Sequence, residues 1–512
     1  MHEKTRALTH ACRRPGREAR SRAGIAAAIS CSLALVACSV PKLREAEPGA
    51  VMPESFSEDQ PGPSPAPSSG VTSIEDFFHD PVLTRLIEEA LKHNLELKIL
   101  TERIEIASSD VLAKTGTYLP SVDIAAGASL TRPSKVTTEG AVDDQLEIAP
   151  GTPFADPLPG FLVAADLSWQ VDIWGRLHDA KNAARLRFLA TSEGRNYVMT
   201  RLVAEIAETY YTLLALDTRM EVIGQGIALQ KRALEVARTK KEAARETELA
   251  VQRFKAEVCR YEAERMIVEQ EIVKTENKLN SLSGRFPRKV ERSSTNFLDL
   301  RNDALSAGVP SDLIRNRPDI RRAELEVAST GLEIDVARKA FYPSLTLTGA
   351  AGFEANGASF MFQTPDSIAA NVAGGLVAPL INTNELQAEF IASNARQLTA
   401  VYEYQQTVIN AFTEVVTRLA MVQNYGRSID SKLEQLRSLE DSVSAALVLF
   451  KNARAEYSDV LFAQRDLIEA KLVTIETKKE QLSAIVNAYQ ALGGGNVLAA
   501  PPAAKATGEP KT

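Results

Sequence analysis

This chain is poor in the side chains that carry out covalent and metal chemistry. It has five His and four Cys in 512 residues. Such scarcity speaks against His- or Cys-based catalysis and against zinc sites. His79, His93 and His178, the three beyond residue 37, share no metal-ligand spacing. There is no Gly-rich phosphate loop, nucleophile elbow or paired His. No catalytic residue, metal or cofactor is therefore expected. An excess of basic charge is also missing. The formal charge is −7, which excludes the broad basic face of a nucleic-acid binder. No apolar run reaches the roughly 20 residues of a membrane-spanning helix, and the mean hydropathy is −0.13. Proline is absent from two very long stretches, Gly175–Phe286 and Leu380–Ala500.

The longest apolar run, Ala23–Val36, follows a segment carrying seven Lys and Arg against two Glu. This basic-then-apolar order is that of a signal peptide spanning residues 1–37. It ends in Leu35-Val36-Ala37-Cys38, which resembles a bacterial lipobox with Cys38 as the lipidated residue. Ser39 follows, and in that resemblance Ser rather than Asp favours the outer membrane. Removal of residues 1–37 takes the net charge to about −12, from the same seven bases and two acids. Cys259 is then the only other thiol, so no intrachain disulfide can form. Residues 41–70 hold seven Pro among Ser, Gly and Glu. They predict an extended tether over 38–73.

The remainder is a duplication. Leu282-Ser283-Gly284 matches Leu492-Gly493-Gly494 at an offset of 210, and Leu177 matches Leu386 at 209. Leu119-Pro120-Ser121 matches Tyr342-Pro343-Ser344 at 223, so the first half has about 14 extra residues after its Pro-Ser. The repeats are placed at 74–290 and 291–500, with a flexible tail at 501–512. Each repeat opens with a helical stretch, Pro81–Gly116 or Pro310–Ala340. Two alternating segments follow, and then a long helical region.

In Ser121–Leu130, Val122, Ile124, Ala126, Ala128 and Leu130 take one face and Asp123 the other. Val163–Asp172 alternates likewise, with Asp166 and Asp172 on the polar side; Ser344–Phe353 and the Gly-rich Asn371–Leu380 follow. Strands are expected at about 120–131, 162–173, 343–354 and 371–381. Period-two alternation over about ten residues fits a transmembrane β-strand and equally a half-buried soluble sheet. Four strands cannot close a membrane barrel, so a membrane reading requires other subunits; three chains would give twelve strands.

The Pro-free regions step by three and four, as in Leu213, Leu216, Met220, Ile223 and Ile227. These are coiled-coil seams. Each region should fold back once, near Ala243–Thr247 and near Asn452–Ser458. Helical hairpins over about 175–284 and 383–492, with arms of roughly 50–70 residues, are predicted.

The segments Gly308–Glu324 (GVPSDLIRNRPDIRRAE), Ala337–Gly352, Ser168–Leu177 and Tyr489–Gly495 resemble the outer-membrane efflux channel (TolC-like) family. The match is to its lipoprotein branch serving resistance–nodulation–division pumps and runs from about Ile74 to Asn496. The resemblance implies a mainly α fold with a membrane β-barrel portion. Three chains would form a twelve-stranded barrel continuous with a periplasmic α-helical tunnel. A girdle would use the regions around Asn296–Asn316 and the C-terminus. The implied role is the exit duct of a tripartite pump, exporting small molecules such as drugs. Its partners would be a periplasmic adaptor, an inner-membrane pump of the resistance–nodulation–division or ABC type, and outer-membrane lipid. The same family also includes ducts for type I protein secretion, and a lipid-anchored coiled-coil scaffold is the reading outside it.

The resemblance also assigns residues. Arg317-Pro318-Asp319 is a structural motif, with Pro318 at a first helical position and Asp319 at the positive helix end. Asp123, Asp166 and Asp172 face the lumen and favour cations. Asp459, Phe462 and Arg465 form the periplasmic gate, with Phe462 where many members have a second Asp. Arg465 is expected to pair across protomers. Ala244, Arg245, Ala453 and Arg454 mark the tips that meet the adaptor. Many members have Gly where Ala244 and Ala453 stand.

Overall fold

The computed structural model describes residues 41–56, 69, 72–244, 247–293, 297–300, 308–379, 383–452 and 454–495. The signal segment 1–37, Cys38, most of the Pro-rich stretch beyond Phe56, and the tail 501–512 lie outside the described residues.

Three helices come first: α1 (Ile74–Phe78), α2 (Pro81–His93) and α3 (Leu95–Thr117). Strand β1 (Ser121–Thr131) follows, then α4 (Thr138–Gln145), β2 (Glu147–Ala149), β3 (Thr152–Pro153) and β4 (Leu158–Val171). The first hairpin is α5 (Arg176–Glu242) and α6 (Glu248–Leu282). After a 3₁₀ turn at Phe297–Asp299 come α7 (Ser311–Asn316), α8 (Pro318–Lys339), β5 (Ser344–Ala355) and β6 (Ile368–Val377). The second hairpin is α9 (Asn384–Lys451) and α10 (Tyr457–Ala491). Among the described residues no helix is long and apolar enough to cross a membrane.

The duplication is regular in three dimensions. Helices α5 and α9 have 67 and 68 residues, and α6 and α10 have 35 each. The second arms are therefore shorter than the 50–70 residues expected. They stop because Gly284 and Gly493 turn the chain at φ +65 and +90. This pairing also corrects the landmark offset from 210 to 209. Their caps, Ser283 (φ −81, ψ 5) and Leu492 (φ −80, ψ 1), are nearly identical. The surplus in the first half lies between its strands. The β1–β4 connection holds 26 residues and the β5–β6 connection 12, a difference of 14. Helix α4 and the β2–β3 hairpin fill it, and neither was legible in the sequence.

The two opening helical stretches are also broken at matching places. Asn94 separates α2 from α3, and Arg317 separates α7 from α8. Asn94 Nδ2 donates to the carbonyl of Leu282 at 2.9 Å. Arg317 Nη1 donates to the carbonyl of Ala491 at 2.8 Å. Leu282 and Ala491 are the last residues of α6 and α10, where helix carbonyls lack intrahelical partners. One repeat caps that end with an amide and the other with a guanidinium.

The described residues divide into two compact units. The first comprises 41–46, 109–185 and 328–399, and contains an antiparallel sheet of order β1-β4-β5-β6. Beside the sheet, Ile334, Ala337, Phe341 and Phe390 form a small core. The observed β4 starts four residues before the expected segment, and β6 ends four residues before it. Gly374, Gly375 and Pro379 blur the alternation that would mark β6.

The second unit holds residues 47–108, 186–327 and 400 onward. Its core is a long seam that includes Leu83, Ile87, Ile206, Leu213, Ile223, Leu279, Leu482 and Tyr489. Ion pairs Lys278–Glu205, Arg219–Glu264 and Lys231–Glu262 advance along α5 as they retreat along α6, as an antiparallel hairpin requires. The Tyr489 hydroxyl donates to Thr72 O at 2.8 Å and accepts from Gly495 N at 3.0 Å. Burial pushes its pKa up to about 12. A Cβ on Gly494 would stand 2.6 Å from the Tyr489 ring, which accounts for the Gly run after that Tyr.

Residues 41–56 form neither helix nor strand, but they are not free. In the first unit Arg44 N donates to Asn394 Oδ1 at 3.0 Å, and Asn394 Nδ2 returns a bond to Arg44 O. In the second, Glu47 bonds Tyr402 and Gln405, and Phe56 stacks on Phe412 at 5.5 Å. The strap thus follows α9, fixed by amide and aromatic side chains that composition does not reveal.

Candidate channel wall and gate residues

The sheet register sorts the side chains of all four strands into two chemistries. Val122 pairs with Leu167, Ile124 with Ala165 and Ala126 with Val163. The same rows continue through Leu167↔Gly349, Ala165↔Ala351 and Val163↔Phe353, then Gly349↔Val372, Ala351↔Ala370 and Phe353↔Ile368. One face is therefore apolar across every strand. It is also bare, with Ile124 83% and Val372 90% exposed. The other face carries Ser121, Asp123, Asp166, Ser168, Gln170, Thr346, Thr348 and Asn371. A soluble sheet buries its apolar face against a core; this one does not. Both edge strands, β1 and β6, lack an outer neighbour among the described residues. Exposed edges beside a bare apolar face call for further strands of the same kind.

Asp123 stands directly opposite Asp166 on the polar face. Like charges in that relation repel, so the pair concentrates negative potential on one row. Asp172, grouped with them from the alternation, belongs elsewhere. It lies one residue beyond β4, and its carboxylate accepts from Leu177 N (3.1 Å), His178 N (2.9 Å) and His178 Nδ1 (2.7 Å). It caps the start of α5, a role that needs a bent chain rather than a continuing strand. Burial would raise the Asp172 carboxyl, but these hydrogen bonds outweigh it and hold the group below its usual value.

Both tryptophans mark one end of the sheet. Trp169 Nε1 donates to Tyr118 O at 3.0 Å and Trp174 Nε1 to Pro343 O at 2.7 Å. Helices enter and leave at this end; loops join the strands at the other.

In the second unit the two hairpin turns fall where the Pro-free regions were expected to fold back. Thr247 caps α6, accepting from Ala250 N at 3.4 Å. In α10 the residue matching Thr247 is Glu456, and Asp459, at position three of the helix, accepts from Glu456 N through Oδ2 at 3.1 Å. Asp459 thus joins a helix start. Phe462 and Arg465 follow on the same side of α10. At about 100° per residue, Asp459, Phe462, Arg465, Asp466 and Glu469 share one stripe. Buried Leu461, Ile468 and Ile475 occupy another. Phe462 is 41% exposed, facing away from its own chain's core. The Arg465 guanidinium lies 5.4 Å from the Phe462 ring centroid and bonds Asp466 at 2.9 Å. Donation to Asp466 pushes its pKa further up. Arg465 has a partner within its own chain, which the spacing to Asp459 did not indicate.

Of the four tip residues, Arg245 and Ala453 lie outside the described residues. Ala244 has φ +55, a left-handed conformation that disfavours a Cβ. Ala244→Gly should stabilise the protein by about 0.5–1 kcal/mol, read as a higher midpoint in thermal unfolding. A lower midpoint would contradict the strained turn. Arg454 N donates to Leu449 O at 2.9 Å, and its side chain is exposed.

Arg317 is 4% exposed. It binds Asp319 through Nε (3.0 Å) and Nη2 (2.7 Å), and Glu414 through Nη1 (2.9 Å). Pro318 is the first residue of α8, as expected. Asp319 in the first turn is chiefly the clamp on Arg317.

The model of the family described as "Outer membrane efflux protein" matches residues 86–285 and 309–494. The solvent efflux pump outer membrane protein SrpC of Pseudomonas putida is 26% identical, over 84% of this chain and 88% of its own. The pyoverdine export outer membrane protein OpmQ of the same species is 28% identical, over 82% and 87%. Among solved structures, that of CusC superposes with a TM-score of 0.75 at 23% identity, covering 89% of this chain and 99% of the other. With matches across both repeats, this chain belongs to the outer membrane efflux protein family.

Proposed function

We propose that three copies of this chain close their sheets into one barrel and form the outer-membrane exit duct of a tripartite efflux pump. The observation that carries this is the sheet register: four strands with one bare apolar face, one polar face and two edges unpaired among the described residues. Lipid covers the apolar face, the polar face lines the lumen, and neighbouring copies pair the edges. Asp123 and Asp166, repeated around the barrel, give a cation-favouring wall. Asp459, Phe462 and Arg465 form the constriction at the periplasmic end, and the hairpin tips meet an adaptor that links the duct to an inner-membrane pump. Cys38 carries the lipid anchor. The cargo is small molecules. Relatives named for solvents and for pyoverdine support a duct that leaves the choice of cargo to its pump.

The test is the protein mass of the purified, detergent-solubilised particle by light scattering. The expected value is three chains after subtraction of detergent. A single folded chain would overturn the closed-barrel reading.

A further inference from the structure

A cavity of about 190 Å³ lies within the first unit at the helix-connected end of the sheet. At about 30 Å³ per water, that is room for roughly six waters. Trp174, Tyr342 and Val377 line it, with Asp172, Arg176 and Lys339 supplying its charges. Asp172 is fully engaged by Leu177, His178 and the His178 ring. Lys339 is paired with Asp179. Gly175, with φ +72, leaves space beside the Lys339 ammonium; even a Cβ there would approach it to 3.5 Å. Arg176 is half-buried, lines the cavity and has no hydrogen bond or ion pair among the described residues. One guanidinium fork is therefore left over in a pocket whose other charges are matched.

We propose that this cavity binds an anionic phosphodiester, the headgroup of a phospholipid in the periplasm-facing leaflet of the outer membrane. The inference rests on the reading of the sheet as a bilayer wall. A guanidinium matches two phosphate oxygens through parallel N–H donors. The Trp174 indole, 47% exposed, and the Tyr342 ring at 5.3 Å form an edge-on aromatic pair at the cavity wall. Trp and Tyr take up such positions where acyl chains give way to headgroups. The apolar strand face begins beside them, at Val171 and Leu345, where the acyl chains of the bound lipid would lie. The helix end itself is not the site, because Asp172 already occupies the Leu177 and His178 N–H groups.

The chain has two Trp, so Trp169→Phe leaves Trp174 as sole reporter at the cavity. The full-length variant is reconstituted into phosphatidylcholine vesicles containing either brominated phosphatidylglycerol or an equal fraction of brominated phosphatidylcholine. Stronger quenching by the glycerol lipid is expected. Arg176→Ala should cut that preference about fivefold, and Arg176→Lys should keep most of it. Equal quenching by both lipids, or a preference that survives Arg176→Ala, overturns the proposal. Loss of the preference to glycerol 3-phosphate at concentrations well below that of the glycerol lipid itself assigns the site to soluble phosphate esters and overturns the lipid source. If neither brominated lipid quenches Trp174, the bilayer-wall reading itself fails, and the headgroup site with it.

Discussion

Arg317→Ala should lower the stability of the purified protein by about 3 kcal/mol. The side chain is 5% exposed and satisfies Asp319, Glu414 and the carbonyl of Ala491 together. Its removal leaves two carboxylates without their cation and one helix end without its cap. The Asp319 and Glu414 side chains are 20% and 30% exposed, so water recovers part of the loss. That places the cost at the lower end for a broken buried pair. Arg317→Lys should recover little, since an ammonium cannot present a planar fork to Asp319 and still reach Glu414 and Ala491. The check is thermal unfolding by circular dichroism beside Arg437→Ala, whose partner pair with Glu434 is 76% and 72% exposed. An exposed pair of that kind contributes at most about 1 kcal/mol. Equal midpoints for the two variants would contradict the clamp.

Gly284→Ala should be comparably damaging. Gly284 sits at φ +65, and a Cβ there would stand 2.3 Å from the carbonyl oxygen of His93. The left-handed conformation alone costs an L-residue about 1–2 kcal/mol, and overpacking against backbone adds about 1–3 kcal/mol. The neighbouring Asn94–Leu282 bond prevents easy retreat, because it ties the same two segments together. Gly493 repeats the arrangement at φ +90, with Asn316 O at 2.7 Å. Both variants should unfold at lower temperature than Gly116→Ala, which has nothing within 4 Å of its new Cβ. A normal midpoint for Gly284→Ala would mean that the α2–α3 break does not pack against this turn.

Much of this architecture is readable from sequence because long elements leave long periodic signals. The Pro-free helices and their fold-backs, the four strands, the last with shifted bounds, and the repeat itself follow from spacing alone. Features made by contacts between distant segments do not. Asp172 continues the alternation of β4 and so looks like a lumen residue; only the turn at Gly175 brings the start of α5 back onto its carboxylate. The equivalence of Asn94 and Arg317 is invisible because the two side chains share no chemistry beyond N–H donation. The Pro-rich strap reads as a tether because its partners, Asn394, Tyr402, Gln405 and Phe412, lie more than 340 residues away in sequence. Asp459, Phe462 and Arg465 stand out in the sequence through the family resemblance, whereas the Arg465–Asp466 pair and the helix-start role of Asp459 are set by the fold.

The two repeats differ at their hairpin turns. Position three of α6 is Ala250, and position three of α10 is Asp459. Both stand at hairpin turns, yet only the α10 position carries a carboxylate, which bonds the Glu456 N–H there. Phe462 and Arg465 are stacked, so loss of either loosens the other.

Single-channel recording in planar bilayers tests the central claim most directly. The purified wild-type protein should pass small, infrequent, cation-preferring currents. The Phe462→Ala, Arg465→Ala double variant should conduct steadily, with steps several times larger. A folded protein that passes no current in either form would contradict the account of this chain as a gated duct.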